Sequence, residues 1–343
     1  MSIMDERKKA ILKAVTDDYI FTAEPVGSRT IARKYSLDIS PATIRNEMAD
    51  LEDAGYLEQP HTSSGRVPSD KGYRFYVDTF LKTSFAMENQ LEKHIKSEYS
   101  KRTDEMNSII KATAKMISDL SNYTAVVIRP AMKMAEIKQV NIVATDNNVV
   151  ILLIFLTSGF VEHRMIAIEY SLSQEELNRI SNVFNEKLKG KSIGGITTAM
   201  IQSIHEELNS DKALIDDAIR ILSSICVQAE DRVYTDGIKN VLEHPEFRET
   251  SNIKTLFAFL ESDDMVFDAM MSLNKSSLCV KIGSENLHEE IRRCSVVGAP
   301  YYINDQLTGM IGLIGPTRLD YRRTMGLVEF IACELSNVLN RIR

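Results

Sequence analysis

Residues 40–55 read Ser40-Pro41-Ala42-Thr43-Ile44-Arg45-Asn46-Glu47-Met48-Ala49-Asp50-Leu51-Glu52-Asp53-Ala54-Gly55, and they predict a helix with unusually clear ends. Ser40 is a favourable N-cap, and Pro41 stands at the first helical position, where a missing N–H has no cost. Gly55 follows the last turn, where a positive φ is commonly required. The spacing of Ile44, Met48 and Leu51 predicts one buried face. The residues that this spacing turns outward are Ala42, Thr43, Arg45, Asn46 and Ala49.

The segments around this helix predict a small helical domain that ends in a hairpin. Upstream, apolar residues at helical spacing predict one helix from 4 to 19, and Ser28 is a favourable N-cap for a second, short helix that ends at Tyr35. Downstream, residues 56–58 and 66–68 flank a turn-rich segment and predict a hairpin. Helix, helix, turn, helix and hairpin in this order predict a winged helix-turn-helix domain over residues 1–82.

In such a domain the second helix of the motif enters the major groove of DNA with its N-terminal residues toward the bases. Arg45 can bond guanine with two hydrogen bonds, and Asn46 can do the same with adenine. We therefore predict that Thr43, Arg45 and Asn46 read base edges. Taken alone, each is an ordinary exposed polar residue, and it is their place in the ordered pattern that favours DNA.

A second group of polar residues predicts contacts to the DNA backbone. Ser28 and Arg29 open the helix before the recognition helix, where backbone N–H groups suit a phosphate. The hairpin is rich in small polar donors and is predicted to act as a wing. The residues predicted to contact phosphate or to form the wing are Ser28, Arg29, Ser40, His61, Ser63, Ser64 and Arg66.

Charge does not support this prediction by itself. The whole chain carries a net charge of −7, and residues 1–80 hold 11 Lys and Arg against 13 Asp and Glu. Binding of DNA without sequence preference depends on neutralising phosphates, so any contact here must be local and oriented. We expect the acids that follow Asn46 to lie on the half of the helix farther from DNA.

The rest of the chain predicts an α+β organisation. A helical stripe predicts a linker helix over residues 83–120, although such a stripe is more often core. Residues 121–190 and 274–343 carry the strand patterns, including an antiparallel meander of four runs at 125–128, 137–144, 149–156 and 160–167, and residues 191–273 read as wholly helical. The simplest interpretation is one sheet domain interrupted by a helical insert, but two separate domains would give the same pattern.

No pattern in the sequence predicts an enzyme, a cofactor or a metal site. The sequence has no P-loop, no nucleophile elbow and no zinc-protease motif, and its four cysteines are far apart. The longest apolar run, residues 149–156, is too short to cross a membrane, and the charged N-terminus contains no signal core. We therefore expect a soluble cytoplasmic protein with reduced cysteines and no catalytic or metal-binding residues.

Several stretches resemble the HrcA family of heat-inducible transcription repressors, and together they span nearly the whole chain. The match is most specific at Ser40–Leu57 and at His61–Pro68, and Leu319, where methionine is expected, is one departure. Further stretches that carry the resemblance are Pro25–Ser28, Gly72-Tyr73-Arg74 and Gly315-Pro316-Thr317-Arg318.

This resemblance implies a winged helix domain, a GAF-like domain and a dimerising domain inserted within the GAF-like one. It also implies repression of chaperone operons of the groE and dnaK type through the inverted-repeat operator CIRCE, with the chaperonin GroEL as a partner. A homodimer fits an inverted repeat, because a twofold dimer presents two equivalent recognition helices. Two alternatives stay open: a transcription factor gated by a small molecule in the GAF-like domain, and an adaptor whose winged helix binds protein.

Overall fold

The computed structural model describes residues 4–60, 65–81, 89–100, 106–129, 136–145, 149–157, 161–167, 172–192, 195–208, 233–247, 250–303 and 306–341. It is a mixed helix and sheet fold. The α-helices in these ranges are α1 (Glu6–Thr22), α2 (Ser28–Lys34), α3 (Pro41–Asp53), α4 (Asp70–Phe80), α5 (Asn89–Ser100), α6 (Met106–Ser121), α7 (Gln174–Leu188), α8 (Thr198–Glu207), α9 (Thr250–Leu260), α10 (Asp263–Met271) and α11 (Tyr321–Arg341). The strands are β1 (Leu57–Glu58), β2 (Val67–Pro68), β3 (Thr124–Ile128), β4 (Ile137–Ala144), β5 (Val149–Leu156), β6 (Val161–Ala167), β7 (Val233–Asp236), β8 (Cys279–Ile282), β9 (Cys294–Ile303) and β10 (Gln306–Pro316).

Helices α1 to α4 and the antiparallel pair β1–β2 form an N-terminal unit. Both predicted ends of α3 are confirmed: the Ser40 hydroxyl accepts a hydrogen bond from the Thr43 N–H, and Gly55 has a φ of 76°. The predicted cap of α2 is wrong, because the N-cap is Gly27 and Ser28 is the first helical residue. The core of the unit is apolar and buried, and it includes Ile11, Leu12, Val15, Ile31, Ile44, Met48, Leu51 and Leu57.

A five-stranded antiparallel sheet of order β7-β3-β10-β9-β8 forms the centre of the chain. Alternate residues of each strand point to opposite faces, so that each face packs on its own helical layer. Ala125 and Val127 belong to the core shared with α6 and α11, whereas Val126 and Ile128 belong to the core shared with α9 and α10. The sheet is therefore covered by helices on both faces.

The strands β4, β5 and β6 form a second, three-stranded sheet. The Asn185 side chain of α7 binds β4, an edge strand of this sheet. It accepts a hydrogen bond from the Val140 N–H at 2.8 Å and donates one to the Val140 carbonyl at 2.7 Å. The predicted four-strand meander is thus wrong in one respect. Residues 125–128 pair with β7 and β10 in the larger sheet, because burial on both faces suits that central position.

The predicted boundary between residues 190 and 191 does not separate the two sheets. Residues 233–236, which were expected to be helical, form β7 and pair with β3, while the meander and α7 lie outside the larger sheet. The segment between β3 and β7 is therefore what interrupts the larger sheet in sequence. Residues 209–232, which carry much of the predicted helical insert, lie outside the described residues.

The predicted linker helix is two helices that fold back on each other. The hydroxyl groups of Tyr99 in α5 and Thr113 in α6 lie 2.8 Å apart, whereas residues 14 positions apart in one straight helix are separated by about 20 Å. Ile95, Tyr99, Ile109 and Ile110 are buried in the main core. The stripe in this segment is therefore core, and residues 82–88 and 101–105 lie outside the described part of the chain.

Candidate nucleic-acid interface

Helix α3 presents Arg45 and Asn46 to solvent while Ile44 and Met48 hold it to the core. Of the three predicted base-reading residues, Arg45 and Asn46 are exposed on the first two turns of the helix and Thr43 is half-buried. The Thr43 hydroxyl lies 2.9 Å from the Ser40 hydroxyl and the Thr43 N–H donates to the same oxygen, so these two residues form the cap. A cap of this kind fixes the start of the helix, and with it the position from which Arg45 projects.

Two of the acids that follow Asn46, Glu47 and Asp50, pair with basic residues of α1. The Nζ of Lys8 lies 3.0 Å from Oε2 of Glu47 and 2.9 Å from Oδ2 of Asp50, and Nη1 of Arg7 lies 3.4 Å from Oε1 of Glu47. Hydrogen bonds to Asp50 and Glu47 raise the pKa of Lys8 above its ordinary value. Sequence reasoning missed this pairing, although the basic run at residues 7–9 was a visible signal.

The base of the β1–β2 hairpin is tied to α3 and to the loop before α2. The Nε of Arg66 donates to Oε2 of Glu52 at 2.7 Å, and the backbone of Arg66 pairs with that of Val26 through two hydrogen bonds of 2.9 Å. The close approach requires a glycine at 65, because a Cβ there would lie 2.4 Å from the Val26 carbonyl carbon. Arg66 therefore sits at the root of the hairpin, with its Nε held by an acid of α3.

The Val26–Arg66 bridge also brings the start of α2 beside the hairpin base. Ser28 is half-buried and Arg29 is exposed in the first turn of α2. Ser28, Arg29, Ser40 and Arg66 all belong to the N-terminal unit that also carries Arg45. The predicted tip residues His61, Ser63 and Ser64 lie outside the described residues.

A second surface of interest is one face of the three-stranded sheet. The register aligns Val143 with Ile151 and Ile151 with Met165, so that these apolar residues form a row across the three strands. Val143 is 44% exposed and Met165 is 70% exposed, which is unusual for apolar side chains in a row. We call this the apolar sheet face; its apolar members are Val143, Ile151, Leu153, Phe155, Val161 and Met165, and the register places Gln139, Asn141 and His163 on the same face.

Other kinds of site are not seen in the described part of the chain. No cluster of three or more His, Cys, Asp or Glu side chains there could hold a metal ion. None of the helices in those ranges has the length and apolar character needed to cross a membrane. Burial raises the pKa of the Cys294 thiol to about 12, Cys279 and Cys333 are free, and Cys226 lies outside the described residues.

Comparison with known proteins finds relatives that match nearly the whole chain. Residues 107–325 match the family described as the HrcA protein C-terminal domain. The chain is 41% identical over 341 residues to the heat-inducible transcription repressor HrcA of Desulforamulus reducens, covering 99% of this chain and 98% of that protein. It is 38% identical to the protein of the same name from Moorella thermoacetica, covering 99% of both.

One solved structure is similar in fold along the full length. A crystal structure at 2.2 Å resolution, described as that of a hypothetical protein, superposes with a TM-score of 0.75 at 25% identity and covers 99% of both chains. The similarity therefore includes the N-terminal unit as well as both sheets.

Proposed function

The chain belongs to the HrcA family of heat-inducible transcription repressors, and we propose that it represses chaperone operons of the groE and dnaK type by binding the CIRCE inverted repeat as a dimer. The observation that carries the proposal is the exposed pair Arg45 and Asn46 on a well-capped helix whose neighbouring acids are neutralised from α1. Local neutralisation matters because the chain as a whole is acidic.

In this proposal the N-terminal unit is a winged helix-turn-helix with α3 in the major groove. Arg45 and Asn46 bond base edges, with Thr43 beside them at the helix start. Ser28, Arg29, Ser40 and Arg66 contact phosphates and set the register of α3 on the duplex, together with His61, Ser63 and Ser64 of the wing. Buried apolar residues on the inner side of α3 support this orientation, since they leave the outer side free for DNA.

We propose different roles for the five-stranded and the three-stranded sheet. We assign a GAF-like fold to the five-stranded sheet with its two helical layers, and a dimerising role to the inserted segment that carries β4, β5 and β6. The apolar sheet face supports this assignment because a second copy of the chain offers the same face, and apolar faces are covered in obligate dimers. A twofold dimer then presents two α3 helices to the two half-sites of an inverted repeat.

The family resemblance extends the proposal to regulation. GroEL acts in this scheme as a partner that keeps the cytoplasmic repressor active. Heating has two effects: unfolded chains occupy the chaperonin, and the marginally stable domains of the repressor become less stable. Repression then falls and the operons open. A melting curve that chaperonin does not change, together with full operator binding after heating and cooling without it, would contradict this scheme.

The experiment that tests the function is fluorescence anisotropy with a labelled CIRCE duplex and a scrambled duplex of the same composition. Each is titrated at two salt concentrations, with and without chaperonin. We expect selective binding to the CIRCE duplex that weakens with salt, because phosphate contacts release counterions. Equal or absent binding to both duplexes, even with chaperonin, would rule out the proposal.

The same titration, repeated after heating, separates this function from a ligand-gated one. A groove of about 530 Å³ lies between α11 and β9 and is lined partly by Tyr302, Glu329, Cys333 and Asn337, and it is the place where the ligand of such a regulator would bind. A ligand-gated regulator needs that molecule for binding or release of DNA. Selective binding by the purified chain in a defined buffer, with release on heating alone, favours the heat-inducible repressor.

A further inference from the structure

Two of the motifs that mark the family, Gly72-Tyr73-Arg74 and Gly315-Pro316-Thr317-Arg318, have no part in the DNA surface described above. In the structure both lie where the N-terminal unit meets the larger sheet. The rings of Tyr73 and Tyr321 pack with their centroids 5.7 Å apart, and both residues are fully or almost fully buried. The junction between the two units is therefore packed, since Tyr73 and Val77 of α4 belong to the main core, and polar contacts lie at two of its ends.

Helix α4 makes the first polar contact of the junction. The Arg74 guanidinium binds the Glu285 carboxylate with two nitrogens, one at 2.8 Å, and it also donates to the Val280 carbonyl at 2.6 Å. One turn earlier, the Asp70 carboxylate accepts a hydrogen bond of 2.8 Å from the Ser284 N–H. Paired hydrogen bonds between arginine and a carboxylate fix orientation as well as distance.

Arg318 makes the second polar contact, at the other end of the junction. Its Nη1 donates to the Ile20 carbonyl in the last turn of α1 at 2.7 Å, and its Nε donates to Oε1 of Glu246 at 2.5 Å. The side chain is only 13% exposed. Carbonyls in the last turn of a helix have no partner within the helix, so Arg318 satisfies such a group and holds the end of α1.

The two helices that carry these contacts, α4 and α1, are each bonded to α3 or to the residues that follow it through other side chains. The hydroxyl of Ser69, beside Asp70, donates to the Gly55 carbonyl at 2.7 Å, and Lys71 Nζ donates to the Ala54 carbonyl at 2.7 Å. These carbonyls lie just past the C-terminal end of α3. At the opposite side, Lys8 of α1 binds Glu47 and Asp50 of α3. A rotation at the junction would therefore carry α3 with it.

We propose that Arg74 and Arg318 are positioning residues that set the orientation of α3 relative to the body of the protein, and thereby the separation of the two recognition helices in a dimer. The inference rests on the proposed function, since it concerns binding to an inverted repeat. Units within one chain move relative to each other unless their interface restrains them. Arg74 and Arg318 supply this restraint at two separated points, which fixes rotation as well as distance.

This role predicts a defect that a folding role does not. A single half-site is contacted by one N-terminal unit, so loosening the junction leaves its affinity unchanged. An inverted repeat requires two units at a fixed separation, so a loose junction accepts several separations and prefers none. The signature is therefore a loss of spacer preference at constant half-site affinity.

The first measurement uses no DNA. Spin labels are introduced through unnatural residues at exposed positions 36 and 275, and the labelled chain is mixed with an excess of unlabelled chain so that only distances within one chain are observed. For the wild type we expect one narrow distance distribution. In the Arg74→Ala/Arg318→Ala double variant we expect a distribution broadened by about twofold or more. An equally narrow distribution in this variant would overturn the proposal, whether or not the protein binds DNA.

The second measurement varies the spacer of the inverted repeat one base pair at a time. We expect the wild type to prefer one spacer by about tenfold and the double variant by less than about twofold, with affinity for a single half-site unchanged. Retained spacer preference in the double variant would overturn the positioning role. If the wild type bound no inverted repeat, the proposed function would fail. The spin-label result would still show whether Arg74 and Arg318 restrain the junction.

Two controls separate positioning from folding. Arg292→Ala removes an exposed arginine whose ion pair with Glu289 lies outside the junction, and it should leave both measurements unchanged. The reciprocal variant Arg74→Glu/Glu285→Arg restores one ion pair and should recover much of the spacer preference that Arg74→Glu loses. A melting curve close to that of the wild type confirms that each variant is folded, and failure of the reciprocal rescue in a folded variant would count against the proposal.

Discussion

The Nζ atom of Lys8 in α1 lies 3.0 Å from Oε2 of Glu47 in α3, two residues after Arg45. This contact answers the main electrostatic objection to DNA binding by an acidic chain. Without it, Glu47 and Asp50 would place unpaired negative charge on α3, the helix that we propose approaches the phosphates. The field at a surface depends on the local arrangement of charges, so the net charge of the chain is a poor guide to its partners.

Removing the cation should weaken DNA binding. We expect Lys8→Ala to lower affinity for the CIRCE duplex roughly two- to fivefold, because Glu47 and Asp50 then repel the backbone. Anisotropy at low salt measures the effect, and high salt should reduce it. Lys9→Ala, which removes a cation that pairs with Glu6 within α1, is the matched control. Equal losses for both variants would show that the Lys8 pairing has no special effect.

The base-reading role of Arg45 predicts a loss that depends on sequence. Arg45→Ala should weaken binding to the CIRCE duplex by about 1 to 3 kcal/mol and binding to scrambled DNA by much less. Parallel titrations with the two duplexes measure the difference. Arg33→Ala, an exposed arginine in the last turn of α2, is the control. If Arg45→Ala weakened both duplexes equally, Arg45 would be a phosphate contact.

The ion pair of Arg66 and Glu52 at the base of the hairpin predicts opposite effects on DNA binding when either member is replaced. Arg66→Ala should weaken binding to both duplexes similarly and reduce the salt slope by about one, as expected for a phosphate contact. Glu52→Gln removes the acid 2.7 Å from Arg66 and should strengthen binding to both. Salt titrations of the two variants test this pair of effects. Weaker binding by Glu52→Gln would mean that the ion pair serves mainly to hold the hairpin in place.

Gly72 tests the packing of α4 against the end of the recognition helix. A Cβ at position 72 would lie 2.1 Å from the Tyr56 carbonyl oxygen. Gly72→Ala should therefore destabilise the chain by about 1 to 3 kcal/mol, although alanine in a helix is otherwise favoured over glycine by about 1 kcal/mol. Denaturant unfolding measures the change. A more stable variant would show that α4 can move away from Tyr56 without cost.

The apolar sheet face predicts a change in oligomeric state. Met165→Asp places a charge on this face, on the edge strand β6. We expect it to shift the chain from dimer to monomer in sedimentation experiments at micromolar concentration, because a charge within an apolar interface is costly. Phe21→Asp is the matched control, since Phe21 is 89% exposed but lies at the end of α1. A Met165→Asp variant that remained dimeric would show that the dimer interface lies elsewhere on the chain.

Several features of the fold could be predicted because their signals act over a few residues. Ser40, Pro41 and Gly55 determined both ends of α3. These signals work through hydrogen bonds between residues three or four positions apart and through the φ of one residue. The exposure of Arg45 and Asn46 followed in the same way from the helical period.

The sequence by itself thus determined the ends of α3, its outward face and the family, whereas only the tertiary structure decided which strands share a sheet and which charges are paired. Val126 of β3 pairs with Thr235 and with Gly312, and nothing in the local pattern of residues 125–128 distinguishes these partners from the neighbouring strand β4. Sheet membership and the pairing of Lys8 with Glu47 or Arg74 with Glu285 depend on contacts between distant segments, which local propensity does not encode.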